Sequence, residues 1–143
     1  MLSKSLFALV AALAVCSAGE AAAISVKAEM KTVVEPASNT LFAVGGEVDP
    51  ENGPDAVKVA DKRWKEAGKA AAALKAAGEG LVAADHAKPG DDWPALAKQM
   101  AEIGERAATA ATAKDGKALA QAANDLGDNC SACHAKYKPQ DGG

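Results

Sequence analysis

Two thiols and an imidazole stand within five residues near the end of the chain, in the run Cys130-Ser131-Ala132-Cys133-His134. On a helix, positions i, i+3 and i+4 lie on one side, so all three side chains would leave a single turn toward the same neighbour. C-x-x-C-H is the spacing of c-type haem attachment: the thiols can add to two vinyl groups while the imidazole turns under the iron. Other chemistries suit the three residues less well. A disulfide between helical residues three apart is strained. Zinc wants further ligands, and the only other His, His86, falls in a loop flanked by Pro and Gly. A thioredoxin-like dithiol follows a strand and opens a helix, which this run does not do.

A haem held by His134 leaves a sixth iron position to fill. A Met there gives a six-coordinate site with a raised potential, suited to passing electrons, whereas an open face binds small gases. Met30, in Lys27-Ala28-Glu29-Met30-Lys31, lies on the inward stripe of its segment, although a Met at helical spacing also serves as a gap-filler. Met100 is the competitor on another seam, and His86 reads as a surface residue. No paired carboxylates, Ser/His/Asp set or Gly-rich phosphate loop occurs in a catalytic setting, so the chain does not read as an enzyme.

The elements that must position these groups are helical. Apolar residues recur at spacings of three and four in four segments: Val26 to Val44, Val57 to Leu81, Trp93 to Ala110, and Leu119 to Tyr137, the last closed by Pro139. Gly53-Pro54-Asp55 reads as the start of the second segment, and Asp91-Asp92 suits the N-terminus of the third. Turn-rich links lie at Gly45 to Pro54, with Gly45-Gly46 read as a helix end, at Gly80 to Gly90, and at Lys114-Asp115-Gly116. Helices of about 18 to 27 residues and short links predict an all-α, antiparallel up-down-up-down four-helix bundle. Pro36, inside the first segment, predicts a kink or two shorter helices.

Composition bears on what fills that bundle. Aromatics are 3% of the 143 residues and Ala is the commonest residue, so a core lined by Ala would bury little apolar area. A flat apolar cofactor would occupy the room that Ala leaves. Trp64, Trp93, Phe42 and Tyr137 are expected in the core, with Tyr137, one turn beyond His134, touching the porphyrin. A net charge of −3 with interspersed signs and no basic block argues against nucleic acid.

Residues 1–23 carry one Lys, an apolar run from Leu6 to Val15 and small residues ending Ala21-Ala22-Ala23. This is the pattern of a secretory signal peptide, and the run is about half the ~20 residues a spanning helix needs. Cleavage near Ala23 would leave residues 24–143 as one domain, exported to the periplasm with no membrane insertion. A lipoprotein reading with Cys16 lipidated is the alternative, although Val15 is bulkier than the residue usual before such a Cys.

With C-x-x-C-H near the end of a fourth helix, the whole mature chain resembles the class II c-type cytochromes, the four-helix family that includes cytochrome c′. The haem motif is the specific part; Trp64, Trp93 and the tail His134-Ala135-Lys136-Tyr137-Lys138 add to it. The resemblance implies one haem c attached through two thioether bonds to Cys130 and Cys133, His134 as an iron ligand, and a basic residue near the proximal side of the haem at Lys138. Arg is usual at that position, so the bidentate geometry of a guanidinium is lost here. The setting of Met30 resembles the Met-ligated, low-spin branch, which implies an electron carrier with His134 and Met30 as axial ligands and protein redox partners. The other branch implies a five-coordinate binder of nitric oxide or carbon monoxide. Pairing through the first two helices, common in the family, implies a possible homodimer.

Overall fold

The computed structural model describes residues 25–53, 58–82 and 92–138, which form helices and connecting turns without a strand. Residues 1–24 with Cys16, residues 83–91 with His86 and Asp91, and Pro54, Asp55, Val57 and Pro139 lie outside the described residues. No helix of the described residues is long and apolar enough to cross a membrane.

The first helix starts as α1 (Val26–Glu29), capped by Ser25, whose Oγ accepts from the Ala28 N–H at 3.2 Å. It continues through a π-helical stretch, Met30–Val34, into α2 (Glu35–Val48). The chain therefore forms one continuous helix here in place of two separate ones. Pro36 supplies the reason: it has no N–H to donate and its ring crowds the carbonyl one turn back. The wider turn, in which the Glu35 N–H reaches the Met30 carbonyl, accommodates it. Such stretches recur at functional sites, and this one begins at Met30.

Gly45 and Gly46 do not end the helix, contrary to expectation; it runs on to Val48. Gly45 is buried, and a Cβ there would stand 2.8 Å from the Ala123 Cβ, so its role is close helix packing. After a 3-10 turn at Pro50–Asn52, α3 covers Asp61–Leu81. It starts later than Gly53-Pro54-Asp55 suggested, because residues 58–60 are non-helical. A helix extended back from Trp64 would turn Ala60 inward and Val59 outward; the extended chain instead leaves Ala60 exposed and packs Val59 against the core. At its other end the helix includes Gly80, expected in a link.

Next come α4 (Trp93–Ala113), with Pro94 in its first turn, and α5 (Gly116–Tyr137). The link between them is as short as expected. Lys114 takes the left-handed conformation at φ 53°, and the Asp115 side chain caps α5 by accepting from the Ala118 N–H at 3.0 Å.

α3 packs on α4, α4 on α5, and α2 on both α3 and α5, around one core. Its fully buried larger side chains are Leu41, Val44, Val48, Leu74, Ile103, Leu119 and Leu126, and most of the rest is Ala. The Ala-lined middle is not left open, as composition suggested; the helices close on it. A Cβ on Gly78 would stand 2.6 Å from the Ala101 nitrogen, and one on Gly104 2.7 Å from the Lys75 nitrogen, so α3 and α4 touch backbone to backbone. Trp64 and Trp93 are buried and Tyr137 is half-buried, but Phe42 is 40% exposed. It follows Leu41 directly on α2, and the burial of Leu41 turns its neighbour outward.

Candidate functional site

Among the described residues a cleft opens near one end of the helices. It is shallow and open to solvent, and takes in about 430 Å³ of atom-free space when its open mouth is counted. Met30 and Val34 line it from the first helix, Leu81 from the last turn of α3, and Trp93, Leu96, Ala97 and Met100 from the first two turns of α4. α5 contributes Asn129, Cys130, Cys133 and His134. Apart from the motif residues and Asn129 the walls are mostly larger apolar side chains, with Ala97 the one alanine among them.

The motif turn behaves as its spacing predicts. Cys130 and Cys133 are free, half-buried thiols packed against the core, and His134, more exposed, borders the same space. Burial pushes both thiols above their ordinary value of 9.0, and at Cys130 the neighbouring Cys133 adds to the effect. Thiols in this state are protonated at neutral pH, unlike the low-pKa cysteines of dithiol oxidoreductases. Among the described residues no three of His, Cys, Asp and Glu gather into a metal-holding group. The donors around the cleft are those of the motif turn and two thioethers.

Both methionines weighed from the sequence line this cleft. Met30 is half-buried at the start of the π stretch, whereas Met100 is 5% exposed in a regular helix. Tyr137 and Lys138 do not line it. The Tyr137 hydroxyl donates to Asp92 Oδ1 at 2.6 Å, and its ring meets Trp93 edge to face at 5.1 Å between centroids. It thus stands behind Trp93, the aromatic that does face the cleft. Lys138 is exposed beyond the helix end, its N–H donating to the His134 carbonyl at 3.2 Å. The Trp93 indole N–H donates to the Leu81 carbonyl at 2.8 Å, satisfying one of the carbonyls a helix end leaves free.

Asn129 was missed in the sequence. It is buried, and its amide nitrogen donates to the Leu96 carbonyl at 3.2 Å and to Gln99 Oε1 at 3.1 Å. Its signal was positional, since it stands one turn after Leu126 and one before Cys133 on the inward face. Two thiols, an imidazole and the thioethers of Met30 and Met100 open on one apolar space, a donor set whose chemistry is compatible with a covalently attached haem. Comparison with known protein families, curated proteins and solved structures finds no match to the chain.

Proposed function

We propose that the chain is an exported, periplasmic monohaem c-type cytochrome of the class II kind and acts as an electron carrier. The observation that carries this reading is that Cys130, Cys133 and His134 share one apolar cleft with Met30, a thioether from another helix. Within that reading the helices run antiparallel, up-down-up-down. Contacts that support it join the start of α4 to the end of α5, through Asp92 and Tyr137, and the end of α4 to the start of α3, through Lys114 and Asp61 at 2.6 Å.

Haem, when bound, supplies a one-electron Fe(III)/Fe(II) couple. The chain's own residues do the rest. Cys130 and Cys133 would hold the haem covalently, each S–H adding across one vinyl C=C with sulfur to one carbon and hydrogen to the other, so that no leaving group is needed. Half-burial raises both thiols, and a protonated thiol is less open to oxidation than a thiolate. The imidazole of His134, on the same turn, and the thioether of Met30, on another helix, would be the residues that hold the haem iron. Val34, Leu81, Leu96 and Met100 exclude water, which lowers the local dielectric and favours the less charged, reduced state.

Oxidised and reduced visible spectra of the exported protein test the proposal. The expected result is a low-spin haem c in both states, a Met-to-iron charge-transfer band in the oxidised one, and no rapid uptake of carbon monoxide on reduction. High-spin spectra with ready carbon monoxide binding would replace the carrier with a gas-binding protein.

A further inference from the structure

The motif turn is fastened on both sides to the same short stretch of another helix. Before it, buried Asn129 reaches the Leu96 carbonyl and Gln99. After it, Lys136 pairs with Asp92 while the Tyr137 hydroxyl donates to the same carboxylate at 2.6 Å. Cys130 to His134 lie between these anchors, and Asp92, Leu96 and Gln99 span two turns at the start of α4. Trp93, between them, locks to Leu81 through its indole N–H and carries the Tyr137 ring on its edge.

We propose that Asn129 and the Asp92–Tyr137 pair are positioning residues, a two-point clamp that holds the motif turn against α4 before haem arrives and fixes His134 afterwards. The second half of this statement rests on the haem reading; the first does not. The last turns of a helix open readily unless tied down, and here the chemistry sits in those turns. Asn129 is one turn before Cys133 on the same face, so a shift at Asn129 moves that thiol directly. The Tyr137 hydrogen bond to a carboxylate is of the stronger, charge-assisted kind, whereas the exposed Lys136 pair adds little. A functional turn held from outside by second contacts is how ligand orientation is fixed in metal sites generally.

The test uses Tyr137→Phe, which keeps the ring on Trp93, and Asn129→Leu, which keeps the shape and removes the donors. Amide hydrogen exchange of the haem-free full chain is the first readout. Each variant should speed exchange at residues 130–137 about tenfold, and the double variant more, while amides in α2 and α3 keep their rates. The second readout is the reduction potential and carbon monoxide uptake of the haem-loaded protein. Both should shift in the variants, and Tyr137→Phe combined with natural Asn129 should shift them less than the double variant. Unchanged exchange at 130–137, or equal acceleration in all helices, would overturn the clamp. Absence of attached haem in the natural chain would overturn the electron-carrier reading and leave the exchange result standing.

Discussion

Replacing Gly78 by Ala tests whether the α3–α4 contact shapes the cleft. The added Cβ would meet the Ala101 nitrogen at 2.6 Å, the Ala97 carbonyl oxygen at 2.7 Å and the Ala101 Cβ at 2.9 Å. Ordinary contact begins near ~3.5 Å, so α4 must move off by about 1 Å, because backbone in a regular helix cannot turn aside. Overpacking of this kind costs about 1–3 kcal/mol, against about 1 kcal/mol gained from the higher helix propensity of Ala. Gly78→Ala should therefore destabilise by about 0–2 kcal/mol, near ~4 °C per kcal/mol in a domain of this size. Gly46→Ala is the control. Gly46 lies in α2 with nothing within 4 Å of an added Cβ, and the same chemical change there should stabilise by about 0.5–1 kcal/mol. Urea denaturation followed by far-UV circular dichroism measures both. Because Ala97 lines the cleft, Gly78→Ala should also perturb the haem spectrum while Gly46→Ala does not. A Gly78→Ala protein as stable as Gly46→Ala would refute the argument.

Met30→Ala should convert the oxidised spectrum to high spin and admit carbon monoxide, while Met100→Leu, a swap of similar volume costing less than about 1.5 kcal/mol, should leave the ligation bands in place. In the haem-free chain, alkylation of Cys130 and Cys133 should show a midpoint above pH 9.0, since burial raises both thiols; a midpoint near 7 would return the dithiol reading. The hydrogen bond from Arg63 holds the Glu47 carboxyl below its ordinary 4.5, with the charge of Arg63 adding to the effect against slight desolvation. A depressed carboxylate stabilises the fold above pH 4.5 and loses that contribution as pH falls through its lowered midpoint. Carbon-13 NMR titration should find that midpoint below 4.5, and Arg63→Gln should return it to the ordinary value.

Helix spacing made the four helical stretches and the α4–α5 link legible, because period and turn chemistry are local. The motif was legible for the same reason: three side chains on one turn need no tertiary knowledge to be placed together. What failed depended on neighbours. Gly45 reads as a helix end in isolation, yet its missing Cβ serves Ala123 on α5. The residues just before α3 leave Ala60 exposed and set the partly buried Val59 against the core, a choice that depends on the neighbouring helices and not on local spacing. Pro36 was expected to kink its helix or divide it in two; the helix is not divided, and a π turn accommodates the proline. Composition correctly suggested a core short of bulk, but it could not say that glycine contacts close the middle and leave the space at the end, between Leu81, Trp93 and the motif. Asn129 carries no motif at all and becomes visible only through its partners on α4.

The most direct measurement is the intact mass of the mature protein, exported from cells with a working haem-attachment system, combined with a count of free thiols. One haem added per chain with neither Cys130 nor Cys133 free to react is the result expected. A colourless protein of unmodified mass, with both thiols open to alkylation after unfolding, would contradict it.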